Sequence, residues 1–526
     1  MAEGRLSRTE HAYRFLTREV LRGRWDAGET LSTYALAEEL GISRTPVAEA
    51  LRRLEGEGLV EIIPQVGTRI VQPDPGPVKD LFALRAALEG VATAAAARNI
   101  TDAQLSELEL TLGRLEGSAA IGDRTAYEEL YHDFHMRLIQ AAGIPQLLDA
   151  ARSIWTPLRY RLAGLPLGNE QLTESVREQR ELYAAVKQRS AERARAAAER
   201  HVRSAAARFL VPMGAEGSDG LVHQALIYAD EDEFLASTVP FIVEGLEADE
   251  RVLAVTTPAN REVLMRTLGR RAQDVEFRDS DEWYELPAHT LLSYQRYIQY
   301  SDRNRVRVIG EVAWKDNTPE SMAEWTRYEA ILNVAFALNA VSIMCPYDAR
   351  RLPSAVVANA RRTHPRISNG ATSSLSESFT DVAVLTRELD KASLAPPRGS
   401  VAMHSITPDL RDTRGFILEQ ARGAGVAGKS LQDAFLAVQE VAASVIFHGP
   451  GLGTMSAWVE NGELIYEIRD DGSDSSDPLA GQLVLAPILM SEPRGLWLAR
   501  LLCDLVEARS HNGGLTVRLH IATPSR

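Results

Sequence analysis

Arg44, Thr45, Glu49, Arg52 and Arg53 fall between positions 44 and 53, and their side-chain types suit contact with nucleic acid. Arginine forks match guanine edges and phosphate oxygens, a threonine hydroxyl donates to phosphate, and glutamate accepts from cytosine. Such chemistry needs a helix that shows one face to the groove and buries the other. The surrounding text supplies it. Ala35 to Leu40 reads as one short helix, with Ala37 small enough for close packing. Gly41 supplies a left-handed turn and Ile42 buries beneath it. Ser43 is placed to cap a second helix, Pro46 lies in its first turn where a missing N–H costs little, and Leu51 and Leu54 form its inner stripe.

Two strand-like runs, EIIP and GTRIVQ, follow and are joined through Gln65, Val66 and Gly67. They predict a wing that brings Gln65, Gly67, Thr68 and Arg69 to the DNA backbone or minor groove. With Ser43, Arg44, Thr45, Pro46, Glu49, Arg52 and Arg53 they make the expected DNA-contacting set. Residues 1–72 therefore read as a winged helix-turn-helix.

The remainder must regulate this reader. The chain has 526 residues, too many for one core, so it reads as multidomain. PDPGP at 73–77 continues neither helix nor strand and marks a linker. Residues 78–212 are rich in Ala, Leu, Arg and Glu with apolar residues three to four apart, which predicts an all-α helical bundle. GAEGSDG at 214–220 is a second boundary. Beyond it ALIYA, RVLAVTT, RVRVIGE and VSIMCPYD alternate with helical stretches, so residues 220–367 predict an α/β domain with a mainly parallel sheet. A third boundary surrounds a short helix at 377–391. Residues 400–526 then run helix (410–424), helix (431–447), strands (454–459 and 463–469), helix (495–504) and strand (515–521), the order of an α/β sandwich.

The net charge of −14 excludes a chain that coats nucleic acid along its length but not a small reading module. Two cysteines exclude a disulfide framework and fit a reducing cytoplasm. MAEGRLSRTEHAYRF lacks the apolar stretch of a signal peptide, and no apolar run approaches the roughly 20 residues that span a bilayer. Cytoplasmic localisation without membrane attachment is the expectation.

SRTPV at 43–47 and LRRLEGEGLV at 51–60 closely resemble the GntR family of bacterial regulators. The family usually has a DNA-contacting arginine after PV, where this chain has Ala48, a loss on the order of 1–3 kcal/mol of discrimination. LRAALEGVATAAAA at 84–97, Phe134 with His135, and the arginine-rich helix reaching His201 resemble the FCD effector domain of the FadR-like branch. That resemblance implies dimerisation on a two-fold operator and a small-molecule effector; Arg85, near the start of the bundle, stands either to hold a carboxylate effector or to be an ion-paired arginine. It also implies a divalent metal, for which His135 and His201 match ligand positions, whereas Tyr131 and Gln179 replace the other two.

HQALIYADEDEFLASTVPFIVEGL, RVRVIGEVAW, YEAILNVAF, MCPYD and RTHP resemble the MEDS sensory domain, which implies a RecA-like core. No G-x-x-x-x-G-K-[ST] run is present, so no Walker loop is expected. Glu311, Glu329, Asn333, Cys345, Tyr347, Asp348 and His364 are the polar residues expected to line its cleft, with Cys345 at a buried strand end.

AFLAVQEVAASVIFHG, ELIYEIRDDGSDSSDPLAG and PRGLWLARLL resemble the GHKL ATPase fold in its anti-sigma, serine-kinase form. That resemblance assigns ATP and magnesium to Glu440, Ser444, Asp470, Gly472, Arg494 and Gly495. Ser444 stands in the magnesium asparagine's place and Pro493 in that of a lid glycine, so a degenerate nucleotide site is expected, without catalysis. It also implies a sigma factor or an anti-sigma antagonist as partner. The leading reading is a DNA-binding transcriptional regulator; the alternative is an anti-sigma or serine-kinase-like regulator acting through the last domain.

Overall fold

Arg8–Leu21 (α1) places Ala12, Tyr13, Leu16 and Val20 on one face, and that face builds the first core. The computed structural model describes residues 7–21, 23–64, 66–71, 78–162, 167–213, 220–314, 318–368, 372–448, 452–470, 494–511 and 514–524. Thr30–Leu31 (β1), Thr33–Leu40 (α2), Arg44–Gly56 (α3), Val60–Ile63 (β2) and Gly67–Ile70 (β3) complete the first domain. Gly41 ends α2 at φ 62°, a left-handed turn that favours glycine. The strands pair in the order β1-β3-β2 and form the expected wing. Leu16, Leu51, Leu54 and Leu59 are fully buried between helices and wing, each contributing roughly 1.5–3 kcal/mol of transfer free energy.

Six helices follow: Val78–Asn99 (α4), Asp102–Ala120 (α5), Arg124–Ala141 (α6), Pro145–Leu162 (α7), Asn169–Lys187 (α8) and Ala191–Met213 (α9). Thr101 and Gln104 close a capping box at the start of α5. Alanines at 92 and 94–97 let α4 run through the centre of the bundle in close contact with its neighbours. Tyr160 of α7 donates to the carbonyl of Val71 at 2.6 Å and so holds the end of the wing against the bundle. Reader and bundle form one of two compact units.

The second unit contains the α/β domain and the sandwich. The former comprises Val222–Tyr228 (β4), Glu231–Glu247 (α10), Arg251–Thr256 (β5), Pro258–Leu268 (α11), Glu276–Asp279 (β6), Ser280–Trp283 (α12), Pro287–Gln299 (α13), Val306–Gly310 (β7), Pro319–Ala335 (α14), Val341–Asp348 (β8), Ser354–Thr363 (α15), Arg366–Ser368 (β9) and Ser373–Leu375 (β10). Its sheet has the order β10-β9-β4-β8-β7-β5-β6, parallel except for β10 against β9.

Val382–Asp390 (α16) leads to the sandwich: Ala402–Ile406 (β11), Arg411–Gly423 (α17), Gly428–His448 (α18), Gly453–Glu460 (β12), Glu463–Asp470 (β13), Arg494–Leu502 (α19), Leu505–His511 (β14) and Gly514–Ala522 (β15). The sheet, in the order β11-β12-β13-β15-β14, is antiparallel throughout. Sequence patterning missed β11 and β14, both edge strands of mixed polarity. The two domains of this unit meet through charges removed from water: Arg500 of α19 pairs with Glu324 of α14 at 2.7 Å, and Arg327 pairs with Asp390 of α16 at 2.7 Å. Among the described residues no helix is long and apolar enough to cross a membrane.

His520 of β15 lies between two glutamates, Nδ1 at 2.9 Å from Glu463 and Nε2 at 3.2 Å from Glu507. Burial alone lowers its pKa, but the two carboxylates overturn this and raise it to about 9. A group whose pKa rises on folding stabilises most below its unfolded value, near 6.5, and loses that contribution as pH passes the folded value. The sandwich should therefore lose on the order of 2–3 kcal/mol between roughly pH 6.5 and 9. Thermal unfolding of the full chain across that range checks this, and His520→Gln should flatten the dependence.

Candidate functional site

The helix α3 divides the expected DNA-contacting residues between two faces. Arg44, Thr45, Glu49 and Arg52 are exposed, while Val47, Ala50, Leu51 and Leu54 are buried. Glu49 also accepts a hydrogen bond from Thr9 at 2.8 Å. Arg53 turns the other way, with its guanidinium carbon 3.6 Å from the centre of the Tyr13 ring and Nη1 donating to Glu10 at 3.1 Å. The expectation that it faces DNA is corrected, because helical spacing carries it over α1.

Ser43 has the extended backbone of an N-cap but makes no side-chain cap bond; it is Ser32 that accepts from the backbone of α2. Pro46 lies in the first turn of α3 as expected. In the wing, Thr68 is buried by strand alternation, so it does not reach outward. Arg69 is exposed and pairs with Glu61 at 2.8 Å. Gly67 opens β3 at φ 129°, and Gln65 lies outside the described residues.

The bundle centres on Glu89, which accepts from Arg85 Nε at 2.7 Å, Trp155 Nε1 at 3.0 Å and His135 Nδ1 at 2.8 Å. Burial alone would raise its pKa, but Arg85 and His135 hold the carboxyl far below the usual range. Burial brings His135 down to about 4, so a neutral imidazole donates Nδ1–H to Glu89. Arg85 Nη2 donates to the Tyr131 hydroxyl at 2.8 Å, and that hydroxyl lies 2.8 Å from His201 Nε2. Burial likewise lowers the pKa of His201, whose Nδ1–H donates to Glu178 at 2.8 Å. Its Nε2 lone pair is therefore spent on the Tyr131 O–H.

His135 and His201 do come together, with stacked rings 5.0 Å apart. Yet the donor set does not fit a divalent metal. One histidine has both nitrogens engaged, Tyr131 is kept a neutral phenol by burial, and Arg85 puts a fixed cation beside it. Arg85 itself is committed to Glu89, the ion-paired of its two expected roles and not the effector-holding one. Beside this network lies a cavity of about 890 Å³. Its walls include Glu10, Tyr13 and Arg53 of the reader, and Arg85, Tyr131, His132, Trp155, Arg159 and Arg208 of the bundle. Arg159 is half-buried there and makes no salt bridge among the described residues, and burial pulls its pKa down.

The polar residues of the α/β domain separate into two groups. Glu311 and Asp348 lie at strand ends, where Glu311 accepts from the Thr257 backbone at 2.9 Å and from Asn260 at 2.8 Å. Glu329, Asn333, Cys345, Tyr347 and His364 instead gather under α14 around a residue that sequence reasoning missed, His223. Cys345 is buried at the strand end as expected, and its Sγ lies 3.5 Å from His223 Nε2, a neighbour no sequence spacing reports. Burial pushes that thiol well above its ordinary pKa. The signal for His223 was its place in β4, beside β8 and on the same sheet face as Cys345 two residues further along.

In the sandwich Ser444 follows Glu440 by one turn of α18, and its hydroxyl donates back to the Glu440 carbonyl at 3.1 Å. Gly495 of α19 packs on the same turn: a Cβ there would lie 2.6 Å from the Glu440 carbonyl oxygen and 2.7 Å from Ser444 Oγ. Ser444 thus turns its hydroxyl hydrogen back on its own helix and packs against Gly495 of α19. Asp470 is buried at the end of β13, Arg494 opens α19, and Gly472 and Pro493 lie outside the described residues.

Four family models match in chain order: "Bacterial regulatory proteins, gntR family" over 8–70, "FCD domain" over 80–204, "MEDS: MEthanogen/methylotroph, DcmR Sensory domain" over 222–365 and "Histidine kinase-like ATPase domain" over 406–521. A probable D-xylose utilization operon transcriptional repressor of Paenarthrobacter nicotinovorans is 34% identical over 149 residues, 28% of this chain and 66% of the relative. An HTH-type transcriptional regulator from an unstable DNA locus of Streptomyces ambofaciens is 31% identical over 204 residues, 38% of this chain and 84% of the relative. Among solved structures, E. coli McbR/YncC is 25% identical, covering 38% of this chain and 96% of its own, with a TM-score of 0.35. The exposed reading helix, the bundle behind it and these matches together make the chain a member of the GntR family of DNA-binding transcriptional regulators, with an FCD effector domain.

Proposed function

We propose that this regulator binds a two-fold operator as a homodimer, and that a small anionic effector in the cavity of residues 78–212 controls residues 1–72. The α/β domain (220–367) and the sandwich (400–526) add further inputs. What carries the reading is that one cavity is lined by both parts. Arg53 of α3 and Tyr13 of α1 share its wall with Arg159, Arg85 and Tyr131. Arg52 and Arg53 are adjacent, one facing outward and the other toward the cavity, so a ligand that moves Arg53 also moves the reading face.

The charge of the effector follows from its surroundings. Arg159 is a half-buried cation without a salt bridge among the described residues, and a carboxylate would supply one. Arg44, Thr45 and Arg52 carry operator contact, assisted by Arg69 and Gly67 of the wing.

Two measurements test this. In mobility shifts of the full chain on its promoter DNA, Arg44→Ala and Arg52→Ala should each weaken specific binding by on the order of 1–3 kcal/mol. Equal loss on random DNA would reduce these residues to phosphate contacts. With a panel of small carboxylates, the wild type should change its operator affinity for at least one, and Arg159→Ala should lose that response while binding DNA normally without ligand. An undiminished response would remove Arg159 from the effector site.

A second reading concerns the last domain, where Ser444 turns its hydroxyl hydrogen back on its own helix while edge strand β11 keeps Met403 exposed. Such an edge can accept a partner strand. A sigma factor should co-purify with the full chain and be lost on Met403→Lys; recovery unchanged by that substitution removes β11 as the docking edge.

A further inference from the structure

Four buried side chains of the α/β domain come from four separate places in the chain: His223 on β4, Glu329 on α14, Cys345 on β8 and His364 just beyond α15. Their ligand-type atoms all lie within 4.8 Å of one another. The separations are informative. Glu329 Oε2 is 3.5 Å from His223 Nε2, 3.4 Å from His364 Nε2 and 3.6 Å from Cys345 Sγ, and Sγ is 3.5 Å from His223 Nε2. These are long for nitrogen–oxygen hydrogen bonds, which cluster near 2.9 Å. They do match the edges of a tetrahedron, about 3.3–3.8 Å, drawn around a metal at zinc–nitrogen and zinc–sulfur bond lengths.

The hydrogen bonds behind the cluster decide which atoms face inward. Asn333 Nδ2 donates to the carbonyls of Ala330 at 3.1 Å and Thr363 at 2.8 Å, which fixes its amide and leaves Oδ1 toward His223 Nδ1 at 3.0 Å. His223 must therefore carry its proton on Nδ1 and a lone pair on Nε2. His364 Nδ1 lies 2.9 Å from the Ala360 carbonyl, an acceptor only, and 2.9 Å from Thr363 Oγ1, whose own hydrogen goes to the Asn359 carbonyl at 3.0 Å, so in the neutral ring Nδ1 carries the proton and Nε2 the lone pair. Both lone pairs then point at Glu329 Oε2. Two acceptors aimed at a carboxylate repel one another unless a cation lies between them. Glu329 Oε1 and His364 Nε2 accordingly have no hydrogen-bond partner although both are fully buried. Imidazoles tethered at Nδ1 to a carbonyl or amide oxygen, with Nε2 free, are the usual supporting arrangement of metal-bound histidine.

We propose that His223, Glu329, Cys345 and His364 bind a divalent transition metal of the zinc type in a closed four-ligand site. One thiolate and one carboxylate neutralise the two charges of the ion, so the buried site carries no net charge. On binding, the Cys345 S–H bond breaks, a sulfur–metal bond forms and the proton leaves to solvent, with no change of oxidation state. With no position left for water, the metal acts as a staple that joins β4, β8, α14 and the end of α15, not as a catalyst.

The full chain, purified without a metal-binding tag, should contain close to one zinc per chain by elemental analysis. Cobalt(II) in place of zinc should give the intense visible bands of tetrahedral coordination and a thiolate-to-cobalt charge-transfer band. Cys345→Ser should abolish the charge-transfer band, and His364→Ala should lower the metal content severalfold. His135→Ala, in the bundle, should change neither. Only trace metal together with an octahedral cobalt spectrum overturns the proposal, as does a charge-transfer band that survives Cys345→Ser. If that variant does not fold, the wild-type cobalt spectrum decides by the presence or absence of the thiolate band.

Discussion

The Glu89 carboxylate is the point on which the first unit depends. It lies at the centre of a helical bundle where an isolated charge would be prohibitively costly, and it is tolerated because Arg85, Trp155 and His135 all donate to it. Those three donors come from α4, α7 and α6, so one anion fixes the mutual placement of three helices. Exchanging the whole set for apolar residues need not destabilise the fold, whereas removing one partner strands the rest and costs about 3–5 kcal/mol. The network is therefore better understood as specifying an arrangement than as adding stability. What it arranges is the cavity: Arg85, Tyr131 and Trp155 belong to the network and to the cavity wall together. A ligand there meets groups with little freedom to move on the bundle side. The other wall is different, because Arg53 and Tyr13 belong to the reader.

The second unit uses the same device at a different place. Glu324 receives Arg500 and Arg327, and Arg327 also holds Asp390, so four charges lie buried between the α/β domain and the sandwich. Burial alone would raise the pKa of Glu324, but Arg500 and Arg327 keep it below its ordinary value, so the carboxyl stays ionised. Two domains joined through paired buried charges are held in one register, because sliding either would leave a charge without its partner.

What the sequence made legible was whatever short-range chemistry decides. Gly41, Ile42 and Pro46 announce a turn and a helix start, and the exposed Arg44 and Arg52 follow from helical spacing alone. Whether Arg53 faces DNA or the interior depends on Tyr13 and Glu10, which are 40 and 43 positions away, and no local pattern reports it. Thr68 was misplaced because the two-residue alternation of a strand was outweighed by the polarity of its side chain. Strands β11 and β14 were missed because edge strands need only one satisfied flank and carry mixed polarity. His223 was missed because its meaning lies in the register of β4 beside β8, which brings together residues 122 positions apart.

The two histidine clusters show why residue type alone could not locate a metal. His135 and His201 match ligand positions by family resemblance, yet Glu178 and Tyr131 claim both nitrogens of His201, Glu89 holds His135 at Nδ1, and Arg85 supplies the positive charge. His223 and His364 stand in HQALIYA and RTHP, runs that marked the domain but no metal, yet carbonyl and amide oxygens hold their outer nitrogens and leave the inner ones unclaimed among the described residues. The deciding feature is what stands behind each ring. His201, with both nitrogens satisfied and a fixed guanidinium nearby, is a core histidine, whereas an acceptor behind the ring, with a thiol and a carboxylate in front, suits a ligand. The bundle carries its central positive charge on Arg85, and the α/β domain brings together the donors proposed to hold a metal.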